Sequence, residues 1–210
     1  APTQVDYIRK STGQKKVTYV GHSQGTSQMF YAMSSKQAEW ESKLNLFVAL
    51  APVTRIDHTK SDLFKYMAKT LPVTKAALDL VGMYHILDGI QSEATKITCF
   101  AVPDLCKFIS GFLITTDPSL DDTDRFQVYM GHFPAGASTQ SIYHYAQNIN
   151  SGKMQLYNWG SDKVNIQKYG QKDPPLVNLR NIKNIPTAMF VGQEDDLGDV
   201  TDARWARDEI

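Results

Sequence analysis

Five residues, Gly21-His22-Ser23-Gln24-Gly25, restrict the fold of this 210-residue chain more than any other stretch. They follow a β-branched and aromatic run, Lys16-Val17-Thr18-Tyr19-Val20, and precede a helix-like stretch from Thr26 to Lys36. A serine at such a strand-to-helix junction must stand on a very sharp turn, with little room for side chains two residues to either side. Gly21 and Gly25 are expected to meet that demand, because a Cβ at either place would run into the adjoining helix or strand. The hydroxyl of Ser23 then projects from the carboxyl end of a sheet. The backbone N–H of Gln24 is left to face any oxyanion that forms beside it.

The rest of the chain supplies strands and helices in a consistent order. Gln4 to Lys10 reads as a helix, and in the helix after the pentapeptide Met29, Phe30 and Met33 have the spacing of a buried face. Thr26 and Ser27 are small enough to let that helix pack close to the sheet. Leu46-Phe47-Val48-Ala49-Leu50, ending at Pro52, is a continuous apolar run suited to a central parallel strand. Thr187 to Val191, entered through Pro186 and closed by Gly192, is a further strand. Strand, helix, strand, long excursion, strand describes an α/β parallel sheet carrying an insertion. The expected divisions are a core at 1–52, a cap or lid insertion at 53–185 and a return to the core at 186–210.

The insertion is too long to lack structure of its own and reads as mainly helical. Asp62 to Thr70 is a helix that Pro72 should end, and Thr74 to Val81 a second one closed by Gly82. The stretch 97–114, interrupted by Pro103, is the most apolar in the chain, and Ser138 or Thr139 can cap a helix to about Asn148. An apolar cap over a serine nucleophile suits lipid esters, whose acyl chains need a water-excluded channel. Apolar stripes at helical spacing are more often core, so any one of these residues reads first as part of the cap's own core.

Composition narrows the function by exclusion. Twenty-two basic and 22 acidic residues balance, so nothing in the charge favours nucleic acid or an anionic membrane surface. No apolar run reaches the length of a membrane span. No HExxH, CxxC or cluster of His and Cys appears, so no metal site is expected. The two cysteines, Cys99 and Cys106, are enough for one bridge.

A serine nucleophile needs a base and a carboxylate to orient it, in the chain order Ser, Asp or Glu, His for this kind of sheet. The loop Gln193-Glu194-Asp195-Asp196-Leu197-Gly198-Asp199 follows the last strand and offers the acid. Asp195 is the choice, Asp196 the runner-up, and an ordinary solvated acidic loop the alternative. The five histidines, His22, His58, His85, His132 and His144, all precede that loop. His22 lies inside the turn, and His58 and His85 read as polar surface of the cap. The chain order therefore places the base beyond residue 210. The opening Ala1-Pro2-Thr3 and the stop within a helix-like stretch at 203–210 read as an internal piece of a longer protein.

These motifs together resemble the acid lipases, the group of gastric and lysosomal acid lipase. The similarity runs from Pro2 to about Asp202 and is carried by Thr12-Gly13-Gln14-Lys15, Tyr19-Val20-Gly21-His22-Ser23-Gln24-Gly25-Thr26 and Ala49-Leu50-Ala51-Pro52-Val53. It continues through His132 with Pro134-Ala135-Gly136, Ser138 and Gln140, then Trp159-Gly160-Ser161, Pro174-Pro175, and Asp195 with Leu197, Asp199 and Asp202. The resemblance implies an α/β-hydrolase fold with a helical lid, Ser23 as nucleophile, Asp195 as triad acid and Gln24 N–H in the oxyanion hole. It further implies hydrolysis of triacylglycerols or steryl esters at a lipid–water interface without a cofactor. A secretory or lysosomal location follows from the family in the same way. Two departures stand out: Asn158 replaces the family's usual aspartate, and Cys99 and Cys106 are closer than the family's bridged cysteines. That pairing stays open, as do a soluble-ester carboxylesterase or acyltransferase and a non-catalytic lipid-binding remnant.

Overall fold

The computed structural model describes residues 2–86, 128, 132 and 135–210. In chain order these form helix α1 (Pro2–Thr12), strand β1 (Val17–His22), helices α2 (Gln24–Ser35) and α3 (Gln37–Lys43), and strand β2 (Leu44–Leu50). Helix α4 (Asp62–Leu80), short strands β3 (His85–Ile86) and β4 (Ala137–Ser138), and helices α5 (Thr139–Ser151) and α6 (Asp162–Tyr169) follow. A 3-10 turn (Leu179–Asn181), strand β5 (Thr187–Phe190) and helix α7 (Val200–Glu209) complete the order. The apolar stretch 97–114 and both cysteines lie outside the described residues.

The chain divides into two compact units, one of Ala1–His58, Gly152–Gln193 and Gly198–Ile210, the other of Thr59–Ser151 and Glu194–Leu197. Residues 152–185, assigned from sequence to the insertion, thus group with the first unit. The cause is packing: Met154, Val177, Leu179, Ile182 and Ile185 are buried in the same cluster as Phe30, Trp40 and Phe47.

In the first unit the sheet order is β1-β2-β5, all parallel. The apolar run of β2 takes the centre, with Gly21 opposite Ala49 and Leu50 opposite both His22 and Phe190. Helix α2 lays Met29, Phe30 and Met33 against this sheet, all three fully buried. The Phe30 ring meets Phe47 edge-on at 5.1 Å between centroids, a geometry worth about 1 kcal/mol beyond burial alone. Lys43, at the end of α3, reaches Asp6 of α1 at 2.8 Å and Glu39 at 2.9 Å. That pairing raises its pKa, chiefly through the hydrogen bond to Asp6.

In the second unit α4 packs on α5, and β3 pairs with β4 antiparallel. Ser138 accepts the Gln140 N–H at 3.2 Å, which makes it the cap of α5 as the sequence suggests. Helix α4 corrects the reading at Pro72: the two expected helices are one, running straight through the proline. A proline here cannot donate to the carbonyl four residues back, that of Ala68. Asn150 of α5 donates its side-chain amide to that carbonyl at 2.8 Å instead. The helix continues because a partner 82 residues away supplies the missing donor.

Candidate active site

Ser23 joins β1 to α2 with φ 51° and ψ −118°, one of four positive-φ residues other than glycine among those described. An L-residue held there costs about 1–3 kcal/mol, which the surroundings must offset. Three hydrogen bonds do so. The Ser23 N–H donates to the Leu50 carbonyl at 3.0 Å, extending the β1–β2 ladder by one residue. The Ser23 carbonyl accepts from the Thr26 N–H at 2.9 Å and from the Thr26 hydroxyl at 2.6 Å. The Thr26 oxygen in turn accepts the Val53 N–H at 2.9 Å, and Ser27 Oγ donates to the Val53 carbonyl at 2.7 Å. Two small hydroxyl residues therefore tie the turn to the chain leaving β2, a role beyond the close packing expected of them.

The glycines divide in their reasons. A Cβ on Gly21 would sit 2.9 Å from Tyr19 Cε1 and 3.0 Å from the Gly25 carbonyl carbon, so no larger residue fits without movement. A Cβ on Gly25 would find only the Tyr19 hydroxyl, at 3.6 Å, an ordinary contact. The expectation that both positions exclude a side chain holds for Gly21 and not for Gly25. The crowding falls on the first glycine because its Cβ would point between the Tyr19 ring and the first turn of α2. Tyr19 also donates its hydroxyl to the Gly25 carbonyl at 3.1 Å, and its burial raises its pKa.

Ser23 is half-buried, with Gln24 exposed beside it. Gln24 opens a 12-residue helix, where amides lack intrahelical acceptors and the helix dipole favours negative charge. That arrangement can lower the energy of an oxyanion formed at the serine.

Asp195 and Asp196 group with the second unit. Asp195 Oδ1 accepts the Leu197 N–H at 3.0 Å, a turn within its own loop that fixes the carboxylate's rotamer. The carbonyl of Asp196 accepts from Lys60 N–H at 2.8 Å, Ser61 N–H at 3.1 Å and Thr59 Oγ1 at 2.7 Å.

Of the histidines, His22, His85 and His132 are exposed and His144 is half-buried in α5. His58 differs from its reading as cap surface. It belongs to the first unit, and its Nδ1 stands 2.8 Å from Asp202 Oδ1, with Asp202 only 1% exposed. The hydrogen bond to Asp202 raises the His58 pKa. Asp57, His58 and Asp202 bring potential metal-ligand atoms within 4.8 Å of one another. Arg55 Nε, 3.0 Å from both Asp57 Oδ1 and Asp202 Oδ1, already supplies the positive charge among them. The separation of 144 positions from His58 to Asp202 hid this cluster from sequence reasoning.

No family model matches the chain. Curated proteins do. Human lipase member K is 36% identical over 205 residues, covering 96% of this chain and 50% of that protein. Mouse gastric triacylglycerol lipase is 36% identical over 208 residues, covering 96% and 51%. Human lipase member J is 34% identical over 214 residues, covering 100% and 57%. The chain is similar over nearly its whole length to lipases of the group that its motifs resemble. It spans about half the length of the curated relatives it matches. The parallel sheet with helices packed on it is part of the α/β architecture that the acid lipase resemblance implied.

The departure at Asn158 from the acid lipase pattern has a structural reading. Its side-chain oxygen accepts from the Gly160 N–H at 2.9 Å and from Asn165 Nδ2 at 3.1 Å. Both bonds need only an acceptor, which an amide provides as a carboxylate would. Asn165, 3% exposed, also accepts the Trp159 N–H at 3.0 Å and donates to the Lys172 carbonyl at 2.7 Å. No described helix is long and apolar enough to cross a membrane.

Proposed function

We propose that the full-length protein hydrolyses lipid carboxylic esters, triacylglycerol or steryl ester, with Ser23 as nucleophile. The observation that carries this reading is the strained serine at the start of α2, held at φ 51° by Leu50 and Thr26. The names of the relatives support the substrate class.

In this mechanism Ser23 Oγ attacks the ester carbonyl while an imidazole from outside residues 1–210 takes its proton. The carbonyl oxygen becomes the oxyanion and draws on the Gln24 N–H, with a second donor also outside the chain. The tetrahedral species collapses, and the imidazolium gives its proton to the departing alcohol, leaving acyl-Ser23. Water, deprotonated by the same imidazole, attacks the acyl carbon and releases the fatty acid and the serine. Asp195 orients the imidazole and stabilises its charged form. No cofactor enters any step. The family's secretory or lysosomal setting is the proposed location.

The test uses the full-length protein. Ser23→Ala abolishes hydrolysis of an emulsified triacylglycerol in a folded variant, and Asp195→Asn lowers turnover far more than Asp196→Asn. Retained turnover in Ser23→Ala would end the serine mechanism, and equal effects of the two asparagines would move the acid elsewhere. A steep rise in rate where emulsion droplets form separates lipase from an esterase of soluble substrates.

A further inference from the structure

Within each unit, residues of the stretch 55–61 bond to one residue of the stretch 196–202: Asp202 in the first unit and Asp196 in the second. In the first unit the Asp202 carboxylate receives the His58 N–H on Oδ2 at 3.1 Å. Its Oδ1 receives His58 Nδ1 at 2.8 Å and Arg55 Nε at 3.0 Å. Arg55 also lies 4.8 Å from the centre of the Trp205 ring, one turn further along α7. In the second unit the next three residues, Thr59, Lys60 and Ser61, all donate to the Asp196 carbonyl. Each unit thus has its own anchor on the chain that follows β5, the Asp202 carboxylate in the first and the Asp196 carbonyl in the second.

Covalent continuity gives this pairing its meaning. The acid loop begins at the end of β5, where the Ala51 N–H donates to the Phe190 carbonyl at 2.8 Å. It ends at Asp199, which caps α7 by accepting the Thr201 N–H at 2.6 Å and is 3% exposed. A sheet strand therefore fixes the upstream end. The downstream end is fixed at Asp202, and through it at His58.

The ring's orientation is set as well. The charged groups facing it are Asp202, Asp57 with Oδ1 at 3.5 Å, and Arg55 with Nη2 at 3.4 Å from Nδ1. The much shorter contact to Asp202 assigns the Nδ1 proton to that carboxylate. Asp202 then has a donor on each oxygen and two on Oδ1, the satisfaction a nearly inaccessible carboxylate requires.

We propose that His58 is a positioning residue for ester hydrolysis: bound to Asp202, it fixes the downstream end of the acid loop and so the carboxylate of Asp195. The proposal rests on Asp195 being the triad acid. His58 touches neither substrate nor base in this role. It acts by keeping the loop in one arrangement.

The experiment compares His58→Leu and His58→Asn in the full-length protein, each with Asp195 intact and as Asp195→Asn. Turnover of a soluble p-nitrophenyl ester is measured against pH, with thermal midpoints alongside. Leucine removes the donor, whereas the asparagine amide can replace Nδ1–H. With Asp195 intact, His58→Leu lowers kcat about tenfold to a hundredfold, the scale of a small misplacement of a catalytic group, with little change in KM. It also moves the acid limb of kcat to lower pH, because a loosely held Asp195 favours the imidazolium less. His58→Asn recovers most of the rate. In the Asp195→Asn background the leucine substitution changes the residual rate by less than about twofold, the signature of residues acting as a unit.

An unchanged kcat in His58→Leu overturns the proposal, whether or not the thermal midpoint falls. So does an equal loss in both backgrounds. If Asp195→Asn alone leaves turnover intact, the triad reading fails, and this proposal fails with it for that separate reason.

Discussion

Thr26 offers the sharpest test of how the nucleophile turn is held. Its side chain is fully buried, and one hydroxyl serves two partners, donating to the Ser23 carbonyl and accepting from the Val53 N–H. Thr26→Val keeps the shape and removes both bonds. The Ser23 carbonyl retains the Thr26 N–H, so that loss is a single ordinary hydrogen bond of about 1 kcal/mol. The Val53 N–H belongs to a residue only 2% exposed and is left without its acceptor, which costs about 1–3 kcal/mol. The sum is a destabilisation of about 2–4 kcal/mol. Thr26→Ser provides the control, keeping the hydroxyl and losing one methyl for about 1 kcal/mol. Urea unfolding of the full-length protein at constant m-value measures both. The same samples should show faster hydrogen exchange at the Val53 amide in the valine variant alone. If Thr26→Val is no less stable than Thr26→Ser, the hydroxyl does not support the turn and the reasoning fails.

Gly21→Ala should destabilise by about 1–3 kcal/mol through overpacking, while Gly25→Ala should fall within about 1 kcal/mol of wild type; thermal midpoints of the pair decide between one crowded glycine and two. Asn150→Ala should cost about 1 kcal/mol by leaving the Ala68 carbonyl without its donor, and much less when Pro72→Ala restores the backbone N–H. Equal costs in the two backgrounds would refute the role given to Asn150. His58 binds its proton more tightly in the folded chain than unfolded, because Asp202 stabilises the charged ring. Its contribution is therefore whole below the ordinary imidazole range and fades as pH rises through the raised folded value. Urea midpoints from acid to neutral pH should fall less steeply for His58→Leu than for wild type. Parallel curves would show that His58 carries no linkage.

The sheet could be read from the sequence because its signals are local. Leu46 to Leu50 and Thr187 to Val191 are short apolar runs between breakers, and Gly21 two residues before Ser23 marks the crowded turn. Helix α4 was misread at Pro72 for the converse reason. The rule that proline ends a helix assumes no other donor for the orphaned carbonyl, and Asn150 lies far along the chain. The grouping of residues 152–185 was equally hidden. Met154, Val177 and Ile182 follow neither helix nor strand periodicity, and their burial emerges only once a core exists to receive them. The serine and its neighbouring amide were legible because the turn itself dictates them. The Arg55, His58 and Asp202 cluster was not, since each residue alone resembles solvated surface.

The backbone at Ser23 also carries an evolutionary consequence. Every residue with a Cβ bears a conformational cost at that position, and in the proposed mechanism the serine hydroxyl is what repays it. A descendant released from ester hydrolysis would lose the reason for the cost while keeping the turn. Glycine is then the replacement that selection for stability alone would favour. A Gly-x-Gly-x-Gly at this junction in a related chain would mark a lineage that kept the fold after giving up the chemistry.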